Sequence, residues 1–369
     1  MKHHLRLLAI SLAAASAAYS APFLAVGDGA ELFLTAGLGV RADDNVFMDP
    51  NEVDDVIFDI SPGVELVFGQ GTQTTGSFSY TESISRYSDN DNLNAELSSL
   101  RFNSNHDDGK TKFSAQASFN QLNQNTVDNR SVGVLSRRDV TSVNLGGETS
   151  VSGKSKIGAR AVYNNDDYKR AGFNDLKTFE IPVNYYYAVT SKVDLSLGAR
   201  YRTSEVQNGV DSKDTFFRVG ARGEFSPNVT GSVQVGAGQR DFDGGRSEDI
   251  FDLDAALSVA LSPKSTLNLN ASNDFGVSGQ GQEQKNFTLG GNISTKVSDA
   301  LSFRAGLTYR KIDYYSREDD YVEGNLGLDY IVNQNVSITG GYTYRSNDSV
   351  LAAGNFTNNV FSLAANLRY

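Results

Sequence analysis

The sequence predicts an all-β fold, a transmembrane antiparallel up-and-down β-barrel of about eighteen strands, with sixteen as the alternative count. Three observations carry this. Apolar residues recur at every second position through most of the chain. Tight connectors alternate with longer, mostly acidic ones, and the last strand ends on an aromatic ring, Tyr369. Helical spacing fits none of the repeating segments as well as a period of two.

The chain opens with a separate object. Lys2 and Arg6 precede an apolar run from Leu7 to Ala18, with small residues at Ala18 and Ser20. This is the pattern of a secretory signal peptide over residues 1–20, leaving residues 21–369 as the barrel. Among 369 residues there is no Cys, so the exported chain builds no disulfide framework, and thiolate chemistry is excluded. The mean hydropathy of -0.36 is that of a polar chain. A barrel hides its apolar content by alternation, so a polar average and a membrane location are compatible. Without Lys2 and Arg6 the 33 basic residues become 31 against 44 acidic ones, about -13, which argues against nucleic acid as a partner.

Alternation begins at Leu32, Leu34, Ala36, Leu38 and Val40, with Phe33, Thr35, Gly37, Gly39 and Arg41 on the other face. Val56, Phe58, Ile60, Val64, Leu66 and Phe68 follow. Later segments run Val193 to Tyr201, Phe217 to Phe225, Phe251 to Leu261, Leu301 to Tyr309 and Val336 to Tyr344. Two segments are less regular. The stretch 94–106 slips phase between Leu97 and Leu100, which predicts a bulge, and 139–151 has a weak apolar face. Turn formers such as Ser226-Pro227-Asn228 and Ser262-Pro263-Lys264 recur about every 36 residues, a hairpin repeat. Between them lie longer stretches, including 43–55, 124–139, 206–214 and 315–320. Eight short turns and nine long loops make eighteen strands with both ends on the short-turn side. Tyr and Phe near strand ends, such as Tyr185, Tyr187, Tyr201 and Tyr330, read as interfacial girdles.

The last strand places Phe361, Leu363, Ala365, Leu367 and Tyr369 on one face and Ser362, Ala364, Asn366 and Arg368 on the other. A strand in lipid needs hydrogen-bond partners on both edges, so it demands a closed sheet. Its end resembles the insertion signal of bacterial outer-membrane proteins. Phe361, Leu363, Leu367 and Tyr369 are therefore the expected signal for the barrel assembly machinery, in an outer membrane of lipid and lipopolysaccharide.

The lumen holds the candidate site. Arg41, Arg200, Arg202, Arg218, Arg240, Arg310 and Arg345 fall on polar-face positions, as do Asp59, Glu65, Asp252, Asp254, Asp274, Glu323 and Asp329. Charges inside a barrel require water or partners. Lining a wet pore, they select solutes by sign and size; paired across strands, they serve only packing. An eighteen-strand barrel is too wide for side chains alone to fill. Arg200, Arg202, Arg218 and Arg240 form the densest basic arc, so the two signs are expected to be partly segregated around the wall.

Catalysis finds no support in the motifs. After the leader the single histidine is His106, beside Asp107 and Asp108 at a predicted turn, with no nucleophile motif to join it. The carboxylate clusters of the loops, such as Asp43-Asp44 and Glu318-Asp319-Asp320, match no calcium-loop pattern and read as a solvated rim. No catalytic residue, cofactor or metal is expected.

Three stretches carry a resemblance: Val40-Arg41-Ala42-Asp43-Asp44-Asn45-Val46-Phe47, Ile60-Ser61-Pro62-Gly63-Val64-Glu65-Leu66, and Arg86-Tyr87 before an acidic loop. They resemble a family of β-barrel porins found beside exopolysaccharide biosynthesis and export genes. Arg41-Ala42 departs from it, since an aromatic is common there. The resemblance implies the outer membrane of a Gram-negative bacterium and a link to polysaccharide secretion. The expected function is a passive channel or an accessory to exopolysaccharide export, with polysaccharide or small polar solutes as partners. A structural or adhesive barrel with a closed lumen is the alternative, and a barrel hydrolase the weaker one.

Overall fold

The computed structural model describes residues 22–27, 29–314 and 317–369. The predicted leader lies outside them. A short first strand, β1 (Leu24–Val26), precedes the wall. The wall runs β2 (Ala30–Asp43), β3 (Asp55–Ile60), β4 (Gly63–Phe68), β5 (Thr74–Tyr87), β6 (Ala95–Asp107), β7 (Thr111–Asn123), β8 (Arg137–Ser150), β9 (Ser155–Tyr168) and β10 (Leu176–Ala188). It continues with β11 (Val193–Val206), β12 (Ser212–Ser226), β13 (Val229–Phe242), β14 (Ser247–Ser262), β15 (Ser265–Val277), β16 (Glu283–Lys296), β17 (Leu301–Tyr314), β18 (Arg317–Ile331), β19 (Val336–Ser349) and β20 (Phe356–Arg368).

Neighbours pair antiparallel all the way round, and β2 meets β20 from Thr35 opposite Arg368 to Asp43 opposite Val360. The sheet is closed, as a bilayer requires of any β structure. β3 and β4 are halves of one wall strand: Leu38 of β2 faces Ile60 and Thr35 faces Gly63, so no residue is gained across the break. Pro62 sits in that break and has no N–H for the ladder. Counting the halves together, the wall has eighteen strands. β1 pairs with the start of β2, beyond the point where β20 stops. There the Tyr369 carbonyl accepts from Leu34 N–H at 2.6 Å, and the Phe23 and Tyr369 rings lie 6.3 Å apart.

Two details differ from the sequence reading. β6 pairs with β5 from Ala95 to His106 with no register shift. Leu97 shares the inward face with Ser99 and Arg101, so one inward apolar residue, rather than a bulge, breaks the pattern. The register shifts lie instead at Glu224/Ser226 and Ala260/Ser262, beside the prolines of two short turns. The expected loop over 315–320 is mostly strand: β18 starts at Arg317, and Asp319 is buried beside Arg317 at 3.3 Å.

The outward face is apolar. Leu38, Leu197, Phe217, Phe251 and Phe361 are among its most exposed side chains. Beyond this band, on the long-loop side, Lys177, Glu205, Lys213 and Asp241 follow one another on the outward face of four successive strands. Such a charged row marks where the strands leave the lipid. On the other side exposed apolar residues, including Val189, Leu261 and Val332, continue to the turns. Long strands projecting on the long-loop side and short turns on the other are the outer-membrane arrangement.

Candidate functional site

Alternation that turns apolar residues outward turns their neighbours into the lumen, and all the predicted lumen charges point there. Most are paired. Arg41 binds Asp59 at 2.6 Å, Arg368 binds Glu65 at 2.9 Å, Arg345 binds Glu323 at 3.0 Å and Arg304 binds Asp329 at 2.7 Å. The densest group spans β10 to β16. Arg200 donates to both carboxylate oxygens of Asp274 at 2.9 Å. Arg202 reaches Asp214 and Asp274, and Arg240 grips Asp214 at 2.6 and 2.8 Å and also Glu283. Arg218 holds Asp252 with two donors and lies 3.7 Å from Asp254. Asp214 and Asp252 are fully buried. Bidentate, charge-assisted bonds of this type are the strong ones, and burial raises the cost of breaking them.

Aromatic rings underlie this lattice. Arg200 stacks on Phe216 at 3.7 Å and Arg240 on Phe275 at 4.7 Å. Phe216, Ile250 and Phe275 form an apolar cluster on the inner wall. Room for Phe216 comes from Gly238 on β13, where any Cβ would collide with the Phe216 ring.

The expected segregation of sign is thus not found: acids interleave with the four arginines on neighbouring strands. Glu180, Asp214, Glu283 and Asp128 are not singled out by the sequence reading. That reading assigns Asp214 to a loop, yet β12 begins at Ser212. The strand's own alternation carries the missing signal: Phe217 faces out, so Asp214, an odd number of residues away, faces in. Asp128 has no such signal, because it lies in a loop.

That loop, residues 124–136 between β7 and β8, crosses the lumen. Asp128 pairs with Arg310 of β17 at 2.5 and 2.8 Å. From β8 to β17 the wall counts nine strands in one direction, so the pair joins opposite sides of the barrel. Val127 and Met48 settle on Ile312, Tyr314, Tyr321 and Phe356 of the far wall. Val46, Phe47 and Leu93 pack with Leu135 and Ile57. Gly279 donates to the Asp128 carbonyl at 2.8 Å, and Gln280 to the Arg130 carbonyl at 2.6 Å. Arg130 in turn donates to the carbonyls of Ala353 and Gly354. Burial pushes the Arg130 guanidinium below its ordinary value, against the opposing charge of Asp319.

Below these loops lies a cavity of about 1460 Å³, lined from Met48 and Val127 near the outer end to Lys112 and Arg222 near the short turns. Its walls differ. The dense charge lattice of β10 to β18 faces a wall, β6 to β9, where fewer charges stand among small polar side chains such as Ser114, Asn144 and Asn164. Arg41, Arg200, Arg202, Arg218, Arg240, Arg310, Arg345, Asp254, Asp274 and Glu323 line the cavity; Asp59, Glu65, Asp252 and Asp329 are held in pairs behind its surface. His106 lies at a short turn, sharing a 2.8 Å hydrogen bond with Thr74, 4.0 Å from Asp108.

No curated protein matches the sequence. The FrpB iron transporter from Neisseria meningitidis (F5-1 variant, apoprotein form) is similar in structure, with a TM-score of 0.50 and 9% identity over 93% of this chain and 82% of that one. The F3-3 variant gives a TM-score of 0.47 and 9% identity over 85% of this chain, which spans 62% of that variant's length. The outer membrane protein opdK from Pseudomonas aeruginosa gives 0.48 and 9% identity, over 93% of this chain and 100% of that one. A family model described as Putative beta-barrel porin 2 matches residues 22–369. The chain belongs to that family of outer-membrane β-barrel porins.

Proposed function

We propose that the chain is a passive channel for small polar solutes in the outer membrane of a Gram-negative bacterium. The observation that carries this is the polar cavity running beneath the loops between two unlike walls. A barrel filled for packing alone has no need of exposed Ser, Asn and Arg side chains facing one another across open space. A lumen of fixed dipoles and charges is instead suited to conduct hydrated solutes. The loop over 124–136 narrows the route, and the Asp128–Arg310 pair holds it in place. In this reading the lining residues named above are the pore wall.

The resemblance to exopolysaccharide-associated porins adds a finer reading, in which the solute is a polysaccharide or its fragments. An extended polymer would have to displace the loop. Liposome swelling with sugars of increasing size tests both readings: entry of small sugars alone supports the channel, and entry of long oligosaccharides supports export. Liposomes that admit no sugar, together with no ionic conductance, would leave the closed structural barrel as the better account.

A further inference from the structure

Two basic side chains stand apart from the lattice. Arg101 on β6 and Arg160 on β9 line the cavity and are exposed to it. Among the described residues neither has an ion pair or a side-chain hydrogen bond. Every other basic residue lining the cavity, from Arg41 to Arg345 and including Lys112, faces a carboxylate. The lining carboxylate outside any ion pair, Asp43, is occupied at the outer end by the Asn45 N–H and the Asn358 amide.

Paired charges largely cancel at a distance, and Ser and Asn dipoles can turn toward either sign. The lattice of β10 to β16 holds more carboxylates than arginines, with Glu180, Asp214, Asp252, Asp254, Asp274 and Glu283 around Arg200, Arg202, Arg218 and Arg240. The positive field in the passage is therefore local to the β6 to β9 wall, where the two free guanidiniums set it. Both sit on the small-polar wall. The Arg160 stem lies across from Gly146, where the missing side chain makes room for it beside Ser114: a Cβ there would touch Arg160 at 3.8 Å and crowd the Ser114 hydroxyl at 2.9 Å. Arg101 pairs in register with Ser118, Ser118 with Ser142, and Ser142 with Asn164. Arg101 thus lies on the row of Asn164, two inward positions nearer the outer end than Arg160. Three strand spacings, about 14 Å, separate them across the sheet, too far for one small anion to bridge.

We infer that Arg101 and Arg160 are successive stations that attract small monovalent anions and pass them along the β6 to β9 wall. This rests on the channel reading above. The test is the reversal potential of the purified protein in a planar bilayer under a potassium chloride gradient at low salt. The wild type should pass chloride alongside potassium. In R101Q/R160Q the chloride-to-potassium permeability ratio should fall by about fivefold, the effect of one unit charge at about 4 Å in water. R101E/R160E should prefer potassium, and R101K/R160K should keep the wild-type ratio. The differences should vanish near about 1 M salt, where the screening length is about 3 Å. Because both side chains are exposed and unpaired, the variants should retain the heat-modifiable gel migration of a folded barrel. Channels that conduct with an unchanged permeability ratio in R101Q/R160Q overturn this inference alone. Absence of conductance in the wild type overturns the channel reading and this inference with it.

Discussion

At the scale of single residues, Asp214 is a wall carboxylate shared between two arginines. It lies fully buried and takes donors from both Arg202 and Arg240. Replacing Asp214 with Asn keeps the shape but leaves two buried guanidiniums short of negative charge. We predict that D214N lowers barrel stability by about 3–5 kcal/mol, measured by urea unfolding in lipid vesicles. Unchanged stability would mean that water compensates the arginines. By the same reasoning, changing Arg200, Arg202, Arg218 and Arg240 to Gln together should impair folding rather than tune selectivity. The arginines are legible in the sequence because the alternation fixes which way each points. Their partners are less so. Asp214 is hidden by a strand that starts earlier than its turn residues suggest. Asp128 is hidden because its contact with Arg310 spans 182 residues and half the barrel, which no local pattern encodes.

At the scale of elements, the loop over 124–136 and the last strand make separate claims. The loop is held at its tip by the Asp128–Arg310 ion pair, by an apolar seat around Val127, and by hydrogen bonds with Gly279, Gln280 and the carbonyls of Ala353 and Gly354. D128N removes the charge that Arg310 faces and should loosen the loop, raising single-channel conductance and current noise. An identical current trace would show that the loop does not limit the route. In β20, Phe361, Leu363 and Leu367 point outward and are exposed, as is Tyr369 just beyond its end. L367D/Y369D puts charge on the lipid face and removes the terminal ring, so outer-membrane levels should fall sharply while the chain is still made. Normal levels in the outer-membrane fraction would refute an assembly role. Periodicity reveals this strand in full, whereas the inward fold of the loop is not legible: polar, Asn-rich loops read alike whether they cross a lumen or face solvent.

At the scale of the whole molecule, period-two alternation and the alternation of turn lengths are enough to count eighteen wall strands, because a sheet in lipid must close. The exceptions have local causes, a missing N–H at Pro62 and an inward Leu97. Circular dichroism of protein refolded in detergent should be dominated by β structure, and a mainly helical spectrum would contradict the fold. The central claim is that the two-walled lumen conducts. Its most direct test is single-channel recording of the purified chain in a planar bilayer. The account predicts discrete, reproducible conductance steps in the wild type and larger steps in D128N. A bilayer that stays silent with correctly folded protein of both kinds would contradict it.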